Sequence, residues 1–185
     1  ALGVSPAAGW ELKPYSGGCA VDFPGVPRHA TQELQTPIGK LTIHTDVLEA
    51  EGCSYCVISQ DLPEEHVKQH GAARILDNGR NGALARVKGR LVSEIETTLA
   101  GFPGREMLGA GYNQGGLEIQ ARSFLVDHRL YLVMVGGRGG KIRSPAAQRF
   151  LNSFDLTAAD ALGRHASGRH PARTIDDDGS ADADE

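Results

Sequence analysis

Leu117 to Val135 read LEIQARSFLVDHRLYLVMV, and the pattern of this stretch decides the fold class. In its first half Leu117, Ile119, Ala121, Ser123 and Leu125 alternate with Glu118, Gln120 and Arg122, the period of two expected of a strand with one wet face. Asp127, His128 and Arg129 supply a tight reversal. Leu130 to Val135 is then an almost unbroken apolar run, as in a strand buried on both faces. The two strands should pair as an antiparallel hairpin at the centre of a sheet.

Other segments extend that sheet in both directions. Upstream, Trp10 to Tyr15 and Cys19 to Phe23 read as short extended pieces, the second closed by Pro24, Gly25 and Pro27. Leu41 and Ile43 share one face of a strand whose other face carries Lys40, Thr42 and His44, and Cys53 to Ser59 suits a neighbour. Arg90 to Leu99 reads as a further strand, with Leu91, Ile95 and Leu99 on one face and Glu94 and Glu96 on the other. It should end at Gly101, Phe102, Pro103, Gly104, where Pro then Gly matches a type II turn.

Two segments change period. Asp61, Leu62, Pro63, Glu64 and Glu65 have the first-turn proline and acids of a helix start. Val67, Gly71 and Ile75, with Ala72 and Leu76, form its apolar stripe, and Asn78, Gly79, Asn81 and Gly82 should interrupt or end it. Ser144 and Pro145 open a second helix carrying Ala146, Phe150, Leu151 and Phe154 on one side. The expected fold is therefore α+β, a largely antiparallel sheet flanked by helices.

Composition limits the rest. The chain has 185 residues, 40% hydrophobic and only 5% aromatic, which suits one domain with a mostly aliphatic core. Residues 176 to 185 hold six of the 23 acids, so the formal charge of −4 becomes +2 for the remainder. No nucleic-acid footprint is indicated by that balance. No apolar run approaches the roughly 20 residues needed to span a bilayer. Three segments follow: a flexible segment at 1–9, a domain at 10–156, and an acidic tail at 157–185 too poor in apolar residues to offset its ordering entropy. A start at Ala1 fits a chain whose export signal has been removed, so an extracytoplasmic location is expected.

The candidate sites are few. Gly136, Gly137, Arg138, Gly139, Gly140, Lys141, Ile142 and Arg143 lie between a strand and a helix start, where successive N–H groups and three bases could meet an anion or nucleotide. A P-loop would need a glycine at Val135 and a hydroxyl at Ile142, so the ordinary reading is a flexible connection. His66 and His70 are four apart on the first helix, the spacing of a metal pair, although no third ligand accompanies them and a solvated face accounts for both. Cys53 and Cys56 form a CxxC, but they lead into strand, where residues three apart face opposite ways. Small core residues are the ordinary reading there. Arg105 and Glu106 follow the Pro–Gly turn and would act only if that turn borders a pocket. The sequence calls for no cofactor.

Several phrases carry a family resemblance: Val21 to Pro27, Tyr55 to Pro63 before a helix, Phe102 to Glu106 after a strand, Arg129 to Leu132, and Phe150 to Phe154. Together with the early Trp10 they resemble a group of uncharacterised bacterial proteins similar in layout to the PsbP-like superfamily. That resemblance implies an antiparallel sheet flanked by helices over about residues 10 to 156. It also implies a non-enzymatic binding or assembly domain with a protein partner or larger assembly, since such proteins include an extrinsic photosystem II subunit and a nuclear-transport factor that binds a small GTPase. No partner-binding residue carries over from it.

Overall fold

In the computed structural model the described residues are 10–15, 18–111 and 115–157, so the expectations for 1–9 and for nearly all of the acidic tail lie outside them. Ten strands and two helices follow in the order β1 (Glu11–Tyr15), β2 (Cys19–Phe23), β3 (Arg28–Thr36), β4 (Gly39–Ala50), β5 (Cys53–Asp61), α1 (Glu64–Arg86), β6 (Gly89–Leu99), β7 (Phe102–Gly111), β8 (Leu117–Val126), β9 (Arg129–Arg138), a 3₁₀ turn (Lys141–Arg143), α2 (Pro145–Asn152) and β10 (Asp155–Leu156). Seven strands form one sheet in the order β3-β4-β5-β9-β8-β7-β6, and β1-β2-β10 form a second. All pairings are antiparallel.

The β8–β9 hairpin stands at the centre, as its pattern predicts, with Val126 opposite Arg129 across a two-residue loop. Central β5 and β9 are buried on both faces, which is why neither alternates. Tyr55, Val57, Tyr131, Val133 and Val135 join a cluster with α2 and the small sheet, whose anchor Phe150 lies 4.9 Å from Phe23 and 5.2 Å from Tyr55 between ring centroids. Cys56, Ile58 and Leu132 face the other way and pack with Ala83 and Leu84 of α1. The large sheet is thus sandwiched between α1 on one side and α2 with the small sheet on the other. A buried Asp22 carboxylate accepts from Arg149 Nε at 2.8 Å and so ties β2 to α2.

Four expectations change. The reversal after β6 is Ala100–Gly101, with left-handed φ of 50° and 86°, and Leu99 pairs directly with Phe102. Pro103 and Gly104 therefore lie inside β7, opposite Thr98 and Thr97, and form no turn. Second, a bulge at Val92 shifts the β6 register between Leu91 and Ser93. Leu91 consequently faces α1 with its partner Gly109, while Ile95 shares the opposite face with Glu106, so the two do not form one buried row. Third, α1 runs through Asn78, Gly79, Asn81 and Gly82 to Arg86, and its break is at Gly71, where φ is 72° and ψ 161°. Tertiary burial of Ala83 and Leu84 outweighs the local cost of two glycines, about 1 kcal/mol each. Fourth, β9 extends through Gly136 and Gly137, leaving only Gly139 and Gly140 in left-handed backbone before the 3₁₀ turn. At the far end, the Thr157 N–H donates to the Gly18 carbonyl at 3.0 Å.

Candidate functional site

The two outer strands of the large sheet differ in what they expose. β3 is polar along nearly its whole length, and Leu34 is its exposed large apolar residue. On β6, by contrast, Ile95 is 63% exposed, Val92 48% and Leu91 37%. Beneath Ile95, on the α2 side of the sheet, lies a shallow recess of about 270 Å³ lined by Ser93, Glu106, Leu108, Gln120 and Arg143.

That recess gathers two of the residues singled out in the sequence, Glu106 and Arg143, into one frame. Glu106 accepts from Arg122 Nε at 2.8 Å and from Gln120 Nε2 at 3.0 Å. Arg122 also donates to the Leu151 carbonyl at 3.0 Å, and Gln148 donates to Gln120 at 2.9 Å, so α2 braces the frame from behind. Arg143 grips Glu118 with two bonds of 2.9 and 2.8 Å, and these hold the Glu118 carboxyl below its ordinary range.

Arg105 does not belong to it. As the neighbour of Glu106 on β7 it points to the α1 side, where it lies 3.3 Å from Asp77 and 3.6 Å from both Glu94 and Glu96. Arg80 completes that network at 2.9 Å from Glu94 and 3.3 Å from Asp77. Arg105 thus clamps α1 to the sheet.

The glycine-rich loop spends much of its polarity internally. Arg143 N–H donates to the Gly140 carbonyl, Ser144 N–H to that of Lys141, and the Ser144 hydroxyl caps α2 by accepting from Ala147 N–H at 3.2 Å. Lys141 lies across Gly52 and donates to the Glu51 carbonyl at 3.1 Å. Arg138 and Lys141 line a separate recess of about 510 Å³ with Val87 and Met134, away from Arg143 and its carboxylate. Arg138 and Lys141 thus share one recess, while Arg143 turns to Glu118.

His66 and His70 do come together, stacked with centroids 4.2 Å apart, and His70 Nδ1 lies 3.1 Å from the His66 carbonyl oxygen. Among the described residues no group of three His, Cys, Asp or Glu side chains is arranged to hold a metal ion. Cys53 and Cys56 face opposite sides of β5, one in each core cluster, and are free thiols. Burial pushes both thiols up, that of Cys56 to about 11.

Two features escape sequence reasoning. His29 Nδ1 lies 2.9 Å from the buried Asp46 carboxylate and its Nε2 3.1 Å from the Thr31 hydroxyl, which lies 3.1 Å from His44 Nδ1. Only the β3–β4 register, His29 opposite Asp46 and Thr31 opposite His44, brings these four together. The second is a cavity of about 260 Å³ between α1 and strands β4, β5, β8 and β9. Its opening depends on Gly79 and Gly82, which the sequence marks only as helix breakers.

No protein-family model matches the chain, and no curated protein matches it in sequence. Among solved structures it is similar to cyanobacterial PsbP (CyanoP) from Synechocystis sp. PCC 6803, with a TM-score of 0.56 and 10% identity, over 83% of this chain and 95% of that one. A Pseudomonas aeruginosa protein of unknown function, PA94, aligns at a TM-score of 0.33 and 10% identity over 89% and 99% of the two chains. The first likeness establishes a PsbP-like α+β fold.

Proposed function

We propose that this chain is a non-enzymatic binding or assembly domain whose partner is a protein, docked along β6. The observation that carries the reading is the exposure of Ile95 and Val92 on an outermost strand. An edge strand offers unpaired backbone groups to a further strand, and natural proteins blunt such edges with charges and bulges. β6 has both, with the exposed Glu96 and the bulge at Val92, yet it keeps three large apolar side chains, Leu91, Val92 and Ile95, partly in water. Blunting against indiscriminate pairing combined with retained apolar contact fits a selective surface. Ile95 and Glu96 face opposite sides, so the complementary segment is extended and sets an apolar residue near Ile95 and a basic one near Glu96. The PsbP-like fold is compatible with this role, as are an extracytoplasmic location and a division into a domain at 10–156 with an acidic tail beyond it.

The test replaces Ile95 and Val92 together by Asp in the full chain. Both are exposed, so the thermal midpoint should stay within the few degrees typical of surface changes. Cross-linking in the native cells, with the linked residues mapped, should show one partner attached along β6 in the wild type and lose it in the variant. The reading fails when the same partner and the same linked positions persist in a folded variant.

A further inference from the structure

The cavity beside α1 is built by the helix as much as by the sheet. α1 covers β6 to β9, and its flank toward β4 and β5 carries Gly79 and Gly82, where a side chain would otherwise fill the trough. A Cβ at Gly82 would meet nothing within 4 Å, whereas one at Gly79 would reach Leu130 at 3.3 Å. The trough therefore opens to solvent at Gly82, an exposed residue, and ends on β9. At about 260 Å³ it falls just below the range of drug-sized sites, roughly 300–1,000 Å³, and is far above a packing defect.

Its walls have a definite chemistry. The apolar lining is aliphatic, with Leu41, Ile58, Leu62, Ile75, Leu130 and Leu132 prominent, and no aromatic ring other than the His66 imidazole borders it. A flat aromatic ligand would find no ring to stack on, while a flexible alkyl chain fits such walls. The polar groups are cationic or neutral: Arg86, His66, Gln60, Asn78 and the hydroxyl of Ser123, a residue only 5% exposed. No Asp or Glu lines the cavity. Arg86 is exposed at the rim of the cavity, and among the described residues no carboxylate lies within ion-pair distance of it. A cation with no carboxylate partner, at the end of an aliphatic trough, calls for an amphiphile with an anionic head.

We propose that the cavity between α1 and strands β4, β5, β8 and β9 binds a medium-chain aliphatic carboxylate, its alkyl tail along Ile58, Leu130 and Leu132 and its carboxylate on Arg86. This goes beyond the docking of a protein along β6 and stands without it. Arg86 is exposed, so its bond to a carboxylate is screened and its removal changes affinity about 2- to 5-fold.

The experiment titrates decanoate and, in parallel, decanol into the full chain by calorimetry, below the concentration at which decanoate forms micelles. Saturable one-to-one binding of decanoate is expected, weakened about 2- to 5-fold by Arg86→Gln. That change should leave decanol affinity unaltered. Gly82→Leu, which fills open space on a helix, should remove both ligands. Because that variant could unfold for other reasons, amide shifts in the wild type provide the second measurement. Decanoate should perturb Gly79, Gly82 and Ser123 before any residue of β1 or β2. No saturable decanoate binding, equal affinity in Arg86→Gln, or shifts centred elsewhere would each overturn the proposal.

Discussion

Gly104→Ala separates the strand from the turn it replaces, and its cost follows from the structure. An added Cβ would collide with Phe124 Cδ1, and it would sit 2.6 Å from the Ser123 carbonyl oxygen and 2.8 Å from Phe124 Cε1. The carbonyl is backbone of β8 and cannot swing aside. Phe124 is 4% exposed and stacked on Phe154 at 5.8 Å, so it has little room either. Overpacking of this kind costs typically 1–3 kcal/mol, and two immovable neighbours place the site near the top of that range. Replacing a strand glycine returns roughly 0.5–1 kcal/mol through lost chain entropy. The net loss should be about 2 kcal/mol, or about 4–8 °C in thermal midpoint for a chain of this size. Urea unfolding followed by far-ultraviolet circular dichroism measures it directly. Gly101→Ala serves as the comparison, since it meets no atom within 4 Å but must hold φ near 86°. A Gly104→Ala loss below about 0.5 kcal/mol would mean that position 104 lies in an open turn, and the register of β7 would be wrong.

Two further outcomes test the core. Because burial raises the Cys56 thiol from its ordinary 9.0 to about 11, the unfolded chain releases that proton first as pH rises. Stability from this group is intact below pH 9 and falls between pH 9 and 11, by order 2–3 kcal/mol, and Cys56→Ala should flatten that part of the pH profile. An equally steep decline in the variant would place the titrating group elsewhere. Tyr55 is fully buried, the Cys53 thiol is the weak hydrogen-bonding neighbour of its hydroxyl, and burial pushes its pKa up to about 12. Tyr55→Phe should therefore be neutral or stabilising by up to about 1 kcal/mol in the same unfolding assay, and a loss above 1 kcal/mol would reveal an unrecognised partner.

The residues that spoke plainly in the sequence are those whose environment is local. Leu130 to Val135 are apolar because β9 is covered on both faces, and Ser144 with Pro145 begins α2 because capping is settled within one turn. Position 103 misled because Pro–Gly chemistry is also local, and it was outweighed by an Ala100–Gly101 reversal that leaves Gly104 facing β8. The site was less legible for a different reason. Glu106 and Arg143 were noticed singly, but their common frame depends on β7–β8 register and on Gln148 reaching Gln120. His29, Thr31, His44 and Asp46 meet only through β3–β4 register, which polar residues on both faces do little to announce. Val92 concealed itself differently: one bulged residue moves Leu91 to the face opposite Ile95, and no periodicity marks where that happens.

The two proposed surfaces share one mechanical element. α1 walls the aliphatic cavity through Ile75, Gly82 and Arg86, and it is also held to β6 and β7 by the Asp77, Arg80, Glu94 and Arg105 network. Glu94 stands next to Ile95 in the chain, so the clamp reaches the strand on which a partner would dock. Each ligand that binds only the folded state stabilises it by RT ln(1 + [L]/Kd), whatever the other does. For independent surfaces those increments add. Where α1 transmits a shift through its clamp they do not, and the departure from additivity equals the coupling free energy, identical from either side. Arg105 joins α1 to the strand on which docking is proposed, and if the two proposed sites are coupled, its removal should change that coupling before it changes either affinity alone, read as the departure from additive stabilisation in thermal unfolding with both ligands.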